Sequence, residues 1–277
     1  MPTARPLVEL TGDTRAITVP IDSARAGEAT LETRACAAGG PDSSAANTDL
    51  DGGDGGDGGN HGDLAFSTLC TNSSFLICDS FENGFGSWTV HDDPPRGFLS
   101  IDPSLAKSGY MSVRAEIDDS AADYVQAVMT LARPVRPTHI RMFWFLPSAT
   151  PAIELLRFAG SAPPYGTLVL TADRPVLSVY ASALNRPLNV SSTTSLPRDR
   201  WACIELSLDD GTGGSTGELR VWVDDVELTD LHQTGLAVSA LDQLALGPTL
   251  QLTAGTVPFA VFIDEVALDH AHIGCAN

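Results

Sequence analysis

Trp201-Ala-Cys203-Ile-Glu205-Leu, Glu218-Leu-Arg-Val-Trp222-Val-Asp224-Asp225-Val and Phe262-Ile-Asp264-Glu265-Val-Ala-Leu268 follow one another along the last eighty or so residues. Ile204, Leu206 and Leu208 share one face of an extended chain, and Leu219, Val221 and Val223 share one face of the next. That period of two is the mark of half-buried antiparallel β-structure. Trp222 alternates out of phase with its apolar neighbours. Asp224-Asp225 reads as a two-residue hairpin turn in which aspartate accepts the positive φ that Asp-Gly or Asn-Gly normally provides.

The same reading runs outward from this region. Short β-patterns separated by turn signals recur at Phe75 to Phe81, Met111 to Ile117, Tyr124 to Leu131, His139 to Leu146, Glu154 to Phe158, Thr167 to Thr171 and Val176 to Ala181. Trp201 to Leu208, Leu219 to Val223, Val226 to Leu228, Gln243 to Leu246 and Phe259 to Leu268 complete the set. About a dozen strands with no convincing amphipathic helix predict an all-β, two-sheet antiparallel sandwich of jelly-roll type over residues 64–277. Residues 39–63 collapse to Gly, Asp, Asn, Ser and Ala around Asp51-Gly-Gly-Asp54-Gly-Gly-Asp57-Gly-Gly-Asn60, and read as a flexible, acid-decorated linker. The calcium-binding nonapeptide repeat does not match it, because the period here is three and no apolar residue recurs. Residues 1–38 hold two short alternating stretches, around Ile17, Val19, Ile21 and Leu31, Thr33, Ala35, which cannot bury a core by themselves. They read as a remnant of a preceding β-domain, an edge hairpin or a loosely ordered arm.

Sixteen basic residues against thirty-five acidic ones give the 277-residue chain a net charge of -19, which repels nucleic acid and anionic membranes. No run of about eighteen apolar residues offers a membrane span. Five cysteines, at 36, 70, 78, 203 and 275, lack zinc-finger spacing. Cys70 with Cys78 and Cys203 with Cys275 are expected as disulfides, against the alternative of reduced core cysteines, and Cys36 is left over. Paired cysteines imply secretion or a cell-surface location. Met1-Pro-Thr-Ala-Arg-Pro-Leu-Val shows no signal peptide, so the expectation is a start upstream or a segment of a longer exported chain.

Asp79-Ser-Phe81-Glu82-Asn-Gly-Phe-Gly-Ser-Trp88, Lys107-Ser-Gly109-Tyr-Met-Ser-Val113-Arg114 and the C-terminal stretches together resemble the concanavalin A-like lectin/glucanase superfamily, which includes laminin G-like modules and several polysaccharide lyases. Galactose-binding-like carbohydrate-binding modules are the rival resemblance. The resemblance implies contact with a polysaccharide or glycoconjugate, and a monomer is expected. In a lectin-like or adhesive module, Trp222 and Trp88 are the expected sugar platforms. In a polysaccharide lyase acting on a uronate glycan, His139, Arg141, Tyr124, Gln126, Arg114 and Tyr180, with Glu116 beside Arg114, would form the acid/base and carboxylate-binding floor. Ser112-Val-Arg114-Ala-Glu116 only loosely matches an Arg-x-Glu-x-Arg strand, since Asp118 stands where the second arginine would be. The resemblance also implies a structural calcium on Glu82 and Asp264, although no cofactor is required.

The E-x-D-x-x-E spacing of a retaining glucanase is absent at both Asp224-Asp225-Val-Glu227 and Asp264-Glu265-Val-Ala-Leu-Asp269. No Ser/His/Asp set or phosphate-binding glycine loop is recognisable. His61, His91, His232, His270 and His272 lie in polar, turn-like surroundings; His270 and His272, two apart, hint weakly at a metal, and incidental surface histidines are the more ordinary explanation. The expected protein is a non-catalytic carbohydrate-binding or adhesive module, with a lyase as its competitor.

Overall fold

Among the described residues, alternating apolar positions form sixteen strands: β1 (Ile77–Asp79), β2 (Thr89–His91), β3 (Gly97–Asp102), β4 (Ser112–Ile117), β5 (Gln126–Thr130), β6 (Thr138–Phe145), β7 (Ile153–Ala159), β8 (Thr167–Asp173), β9 (Val176–Ala181), β10 (Leu188–Ser195), β11 (Trp201–Asp209), β12 (Gly217–Val223), β13 (Val226–Glu227), β14 (Gln233–Leu236), β15 (Gln243–Leu250) and β16 (Phe259–Asp269). The computed structural model describes residues 69–70, 74–118, 124–132, 138–160, 167–173, 176–181, 188–209, 217–236, 242–250 and 257–275. These belong to one compact unit spanning Asn60–Asn277. The expectations for residues 1–38 and 39–63, for Cys36 and for His61 lie outside the described residues.

All the pairings are antiparallel. The first sheet runs β13-β12-β11-β6-β16-β4-β3, with β1 also against β16 and β14 against β12; the second runs β10-β9-β8-β7-β15-β5-β2. Strand β16 changes partner along its length: Phe259 to Ile263 face β4, while Val266 to Leu268 face β1. The register slips between Asp264 and Ala267, and Glu265 takes a positive φ of 50° at the slip. That bulge lets Asp264 and Glu265 both carry their carboxylates into polar surroundings at the middle of a sheet.

The core lies between the sheets. Ile140, Met142 and Trp144 of β6, Ile204 and Leu206 of β11, and Val261 and Ile263 of β16 meet Leu156 and Phe158 of β7, Leu168 and Leu170 of β8, and Leu244 and Leu246 of β15. The alternate residues of each strand point away from this core, so each sheet has an outer face with its own chemistry.

The expected hairpin is present, with Asp224 and Asp225 at φ 50° and 64°. Aspartate serves here because its carboxylates have work to do. Asp224 Oδ1 accepts from the Cys203 amide at 3.0 Å, and Asp225 Oδ1 accepts from the Cys275 amide at 2.7 Å. Both expected disulfides form, Cys70–Cys78 and Cys203–Cys275. β2, β3, β10 and β14 escape the sequence patterning. They are short, rich in hydroxyls or preceded by Pro-Pro-Arg, and lie at or beside sheet edges, where only one face or neighbour constrains composition.

The two outer faces differ in cover. That of the first sheet is capped by three segments. The Leu69 amide donates to Glu265 Oε1, the Lys107 and Ser108 amides donate to Asp264 Oδ2, and the tail through Cys275 is tied to β11. Arg141, Phe143, Cys203, Glu205, Asp264 and Glu265 are buried beneath them. The second sheet keeps Tyr124 and Tyr180 exposed on its outer face.

Candidate functional site

Across the outer face of the second sheet, β-alternation places Gln126 of β5, Thr249 of β15, Glu154 and Arg157 of β7, Thr171 of β8, Tyr180 and Ser178 of β9, and Ser191 of β10. Tyr124 pairs with Thr249 just before β5. The floor is an amide, hydroxyl and ion-pair network. Gln126 Nε2 donates to Thr249 Oγ1 at 3.0 Å, Arg157 forks onto both Glu154 oxygens at 2.7 Å each, and the Ser178 and Ser191 hydroxyls meet at 2.8 Å. Glu154 is 1 % exposed, so the fork cancels its charge where water cannot screen it. One row of the floor, Ser178, Thr171, Glu154 and Thr249, is therefore polar and close to neutral, while the adjoining row from Tyr180 through Val169, Arg157, Ala245 and Val128 is mostly apolar.

Tyrosine rings flank this floor. Tyr124 is 46 % and Tyr180 is 50 % exposed, and the His91 ring sits 6.5 Å from that of Tyr124. Four strand steps separate β9 from the β5 line, which at about 4.8 Å per step is roughly 19 Å. That span suits a chain of several sugars, with aromatic platforms towards its ends and hydroxyl-reading groups between them.

The first sheet holds a different cluster. Its centre is the Glu205 carboxylate on β11, which is fully buried. Oε1 lies 2.8 Å from His139 Nδ1 and 2.9 Å from His272 Nδ1, and also accepts from the Ile273 amide at 3.0 Å; Oε2 accepts from the Gly274 amide at 2.8 Å. Ser207 Oγ lies 3.3 Å from the other nitrogen of His139. Trp222 covers the group, with ring centroids 4.9 Å from His272 and 6.2 Å from His139. Burial alone would raise the Glu205 carboxyl, but the His139 hydrogen bond, the Ile273 and Gly274 amides and the field of His272 together hold it below the ordinary carboxylate range.

The residues singled out from sequence fall into separate places. Arg114, Glu116, His139 and Arg141 lie on strands of the first sheet, whereas Tyr124, Gln126 and Tyr180 lie on the second. They occupy opposite outer faces of the sandwich, so the acid/base floor expected of a lyase is not assembled. Arg141 is 2 % exposed and lies between the Phe75 and Phe143 rings, donating to the Glu265 carbonyl at 3.3 Å. Arg114 is paired with Glu116 at 2.8 Å. Trp88 is no platform: it is 5 % exposed, tilted against Phe81, and its indole N–H donates to Asp79 Oδ2 at 2.9 Å. Trp222 is half-buried within the Glu205 cluster.

Glu82 and Asp264, the pair expected to hold calcium, both grip the backbone of one loop. Glu82 Oε1 accepts from the Tyr110 and Met111 amides at 2.9 and 3.0 Å, and Asp264 accepts from Lys107, Ser108 and Glu265. Their oxygens face N–H donors, a poor fit to a shared cation, and among the described residues neither belongs to a group of three His, Cys, Asp or Glu ligands. Burial raises Asp264 to about 7, against the lowering effect of those amides. A carboxyl whose folded value lies above its unfolded one holds its proton better when folded, so stability falls as pH rises from about 4 to about 7. The thermal midpoint of Asp264→Asn should decline less over that window than the wild-type midpoint; parallel curves would contradict this.

Sequence reading missed Glu205, Ser207 and His272 as partners of His139, and Glu154 with Arg157 on the other face. Glu205-Leu-Ser207 does alternate polar residues against the core-facing Ile204, Leu206 and Leu208. Only strand register, which pairs Ser207 with His139, brings the groups together.

No family model matches the chain, and no curated protein matches it. Among solved structures, "Cellulose induced protein, Cip1" aligns over 72 % of this chain and 100 % of its own at 16 % identity, with a TM-score of 0.59. A conserved carbohydrate esterase from the Shiga toxin-encoding bacteriophage phi24B aligns over 70 % and 97 % at 14 % identity and TM-score 0.48. The binding domain of botulinum neurotoxin serotype C1 aligns over 67 % and 44 % at 7 % identity and TM-score 0.45. At these identities the comparison concerns fold alone, and the chain shares a two-sheet β-sandwich with the cellulose-induced protein.

Proposed function

We propose that the protein is an exported, non-catalytic module of concanavalin A-like type that binds an uncharged polysaccharide or glycoconjugate across the outer face of its second sheet. The observation that carries this reading is the pair of half-exposed tyrosines, Tyr124 and Tyr180, on one face whose floor combines an amide, hydroxyls and an internally neutralised ion pair with a row of small apolar side chains. Such a floor reads sugar hydroxyls while the rings stack on sugar faces. The net charge of -19 disfavours an acidic glycan, the substrate that β-elimination of a uronate requires. Two disulfides favour an oxidising compartment, and no helix among the described residues is long and apolar enough to cross a membrane.

A glycan array should identify a retained neutral polysaccharide, and affinity electrophoresis on it should show Tyr124→Ala and Tyr180→Ala each weakening binding about tenfold, within the range expected of one lost aromatic contact. Their unfolding midpoints should match wild type, because both rings are half exposed. Retention on no polysaccharide, or unaltered retention of the double variant, would sink the reading.

A further inference from the structure

We propose that His139, Glu205 and His272 form a binding site for a divalent transition metal ion, with zinc as the best-suited ion, on the face opposite the glycan-binding one. One ligand atom from each of His139, Glu205 and His272 lies within 4.8 Å of the other two, and Nδ1 of each histidine is the nitrogen in contact with Glu205 Oε1. Tetrahedral zinc with bonds of about 2.0 to 2.1 Å spaces its ligands about 3.3 Å apart, so only a small opening of the 2.8 and 2.9 Å contacts admits the ion. Two imidazoles and one carboxylate suit zinc and its first-row neighbours; calcium and magnesium prefer oxygen.

Hydrogen bonding gives a second reason. Without a metal, Oε1 of Glu205 faces His139, His272 and the Ile273 amide, whereas Oε2 faces only the Gly274 amide. A carboxylate offers about four acceptor sites over two oxygens, so three donors overload one and leave the other short. An ion replacing the two imidazole protons removes that imbalance and uses the three side chains as ligands.

The surroundings are those of a prepared site. Ser207 Oγ can accept from His139 Nε2, which leaves Nδ1 unprotonated and free to coordinate, as outer partners of metal-bound histidines do. The Gly274 amide orients the carboxylate from behind. Cys203 lies on the same strand face as Glu205, and its disulfide to Cys275 holds the segment bearing His272 over β11. The His272 side chain is 49 % exposed and that of His139 is 14 %, so an ion can reach the ligands and the fourth coordination position opens to solvent.

The test uses the full chain, freed of metal by chelator and titrated with zinc by calorimetry. Wild type should bind one zinc per chain, and zinc should raise its thermal midpoint. His272→Ala should weaken zinc about a hundredfold and abolish the thermal shift, with an unchanged midpoint in chelator showing that it still folds. His139→Gln should do the same, while His270→Ala should bind as wild type does. Absence of stoichiometric binding to wild type, or equal binding by His272→Ala, would overturn the proposal.

Discussion

Replacing Cys203 and Cys275 together by alanine should lower the unfolding free energy by about 4 kcal/mol. The bridge closes a loop of 72 residues, for which the chain-entropy model gives about 4.4 kcal/mol, against about 2.5 kcal/mol for the 8-residue separation of Cys70 and Cys78. The longer loop confines more of the unfolded chain. A cost of about 4 kcal/mol is a large part of the 5 to 15 kcal/mol that holds a typical domain. The folded state loses as well, because residues 273–275 donate to Glu205 and Asp225, and if they moved away the buried Glu205 carboxylate would keep His139 but lose the Ile273 and Gly274 amides. Urea unfolding of the oxidised wild type and the double variant measures the difference. A loss below about 1 kcal/mol would show that backbone hydrogen bonds alone hold the tail.

Arg141→Met should cost about 3 to 5 kcal/mol, the usual consequence of leaving a buried carboxylate without the neighbouring positive charge whose field offsets it. The guanidinium is 2 % exposed, so burial lowers its own pKa against the fields of Glu265 and Glu205, and its field in turn lowers the Glu265 carboxyl that burial otherwise raises. Without it Glu265 keeps the Leu69 amide and the Ser108 hydroxyl but no positive charge. Its folded value then rises further above the unfolded one, so the variant should lose stability more steeply than wild type as pH climbs from the ordinary carboxylate range to neutrality. Arg141→Met with Glu265→Gln should recover most of the loss at neutral pH, since no unpaired charge remains. Additive costs in this cycle would mean the two groups do not interact.

Arg141 also shows where sequence reading stops. Its alternation with His139 on β6 is visible in the sequence, but nothing local reveals that Leu69 and Phe75 come to lie over that face. The same limit applies to Trp88, which the resemblance offered as a sugar platform although it is buried against Phe81. By contrast the Asp224-Asp225 turn, the strand periodicity and both disulfides were legible, because each depends on local spacing or on cysteine position. Sites are assembled by register. His139 reaches Glu205 and Ser207 because β6 and β11 pair in one alignment, and Tyr124 and Tyr180 share a face because β5 and β9 belong to one sheet. A lyase floor drawn by alternation alone therefore mixed residues from two faces.

Sugar bound across the second sheet should leave the first untouched. Hydrogen–deuterium exchange with and without the retained polysaccharide measures this directly. Protection should concentrate on residues 124–130, 153–159 and 176–181 around Tyr124, Arg157 and Tyr180, with no change at residues 201–209 or 270–275. Protection centred on Trp222, His139 and the C-terminal tail, with none around the tyrosines, would contradict it.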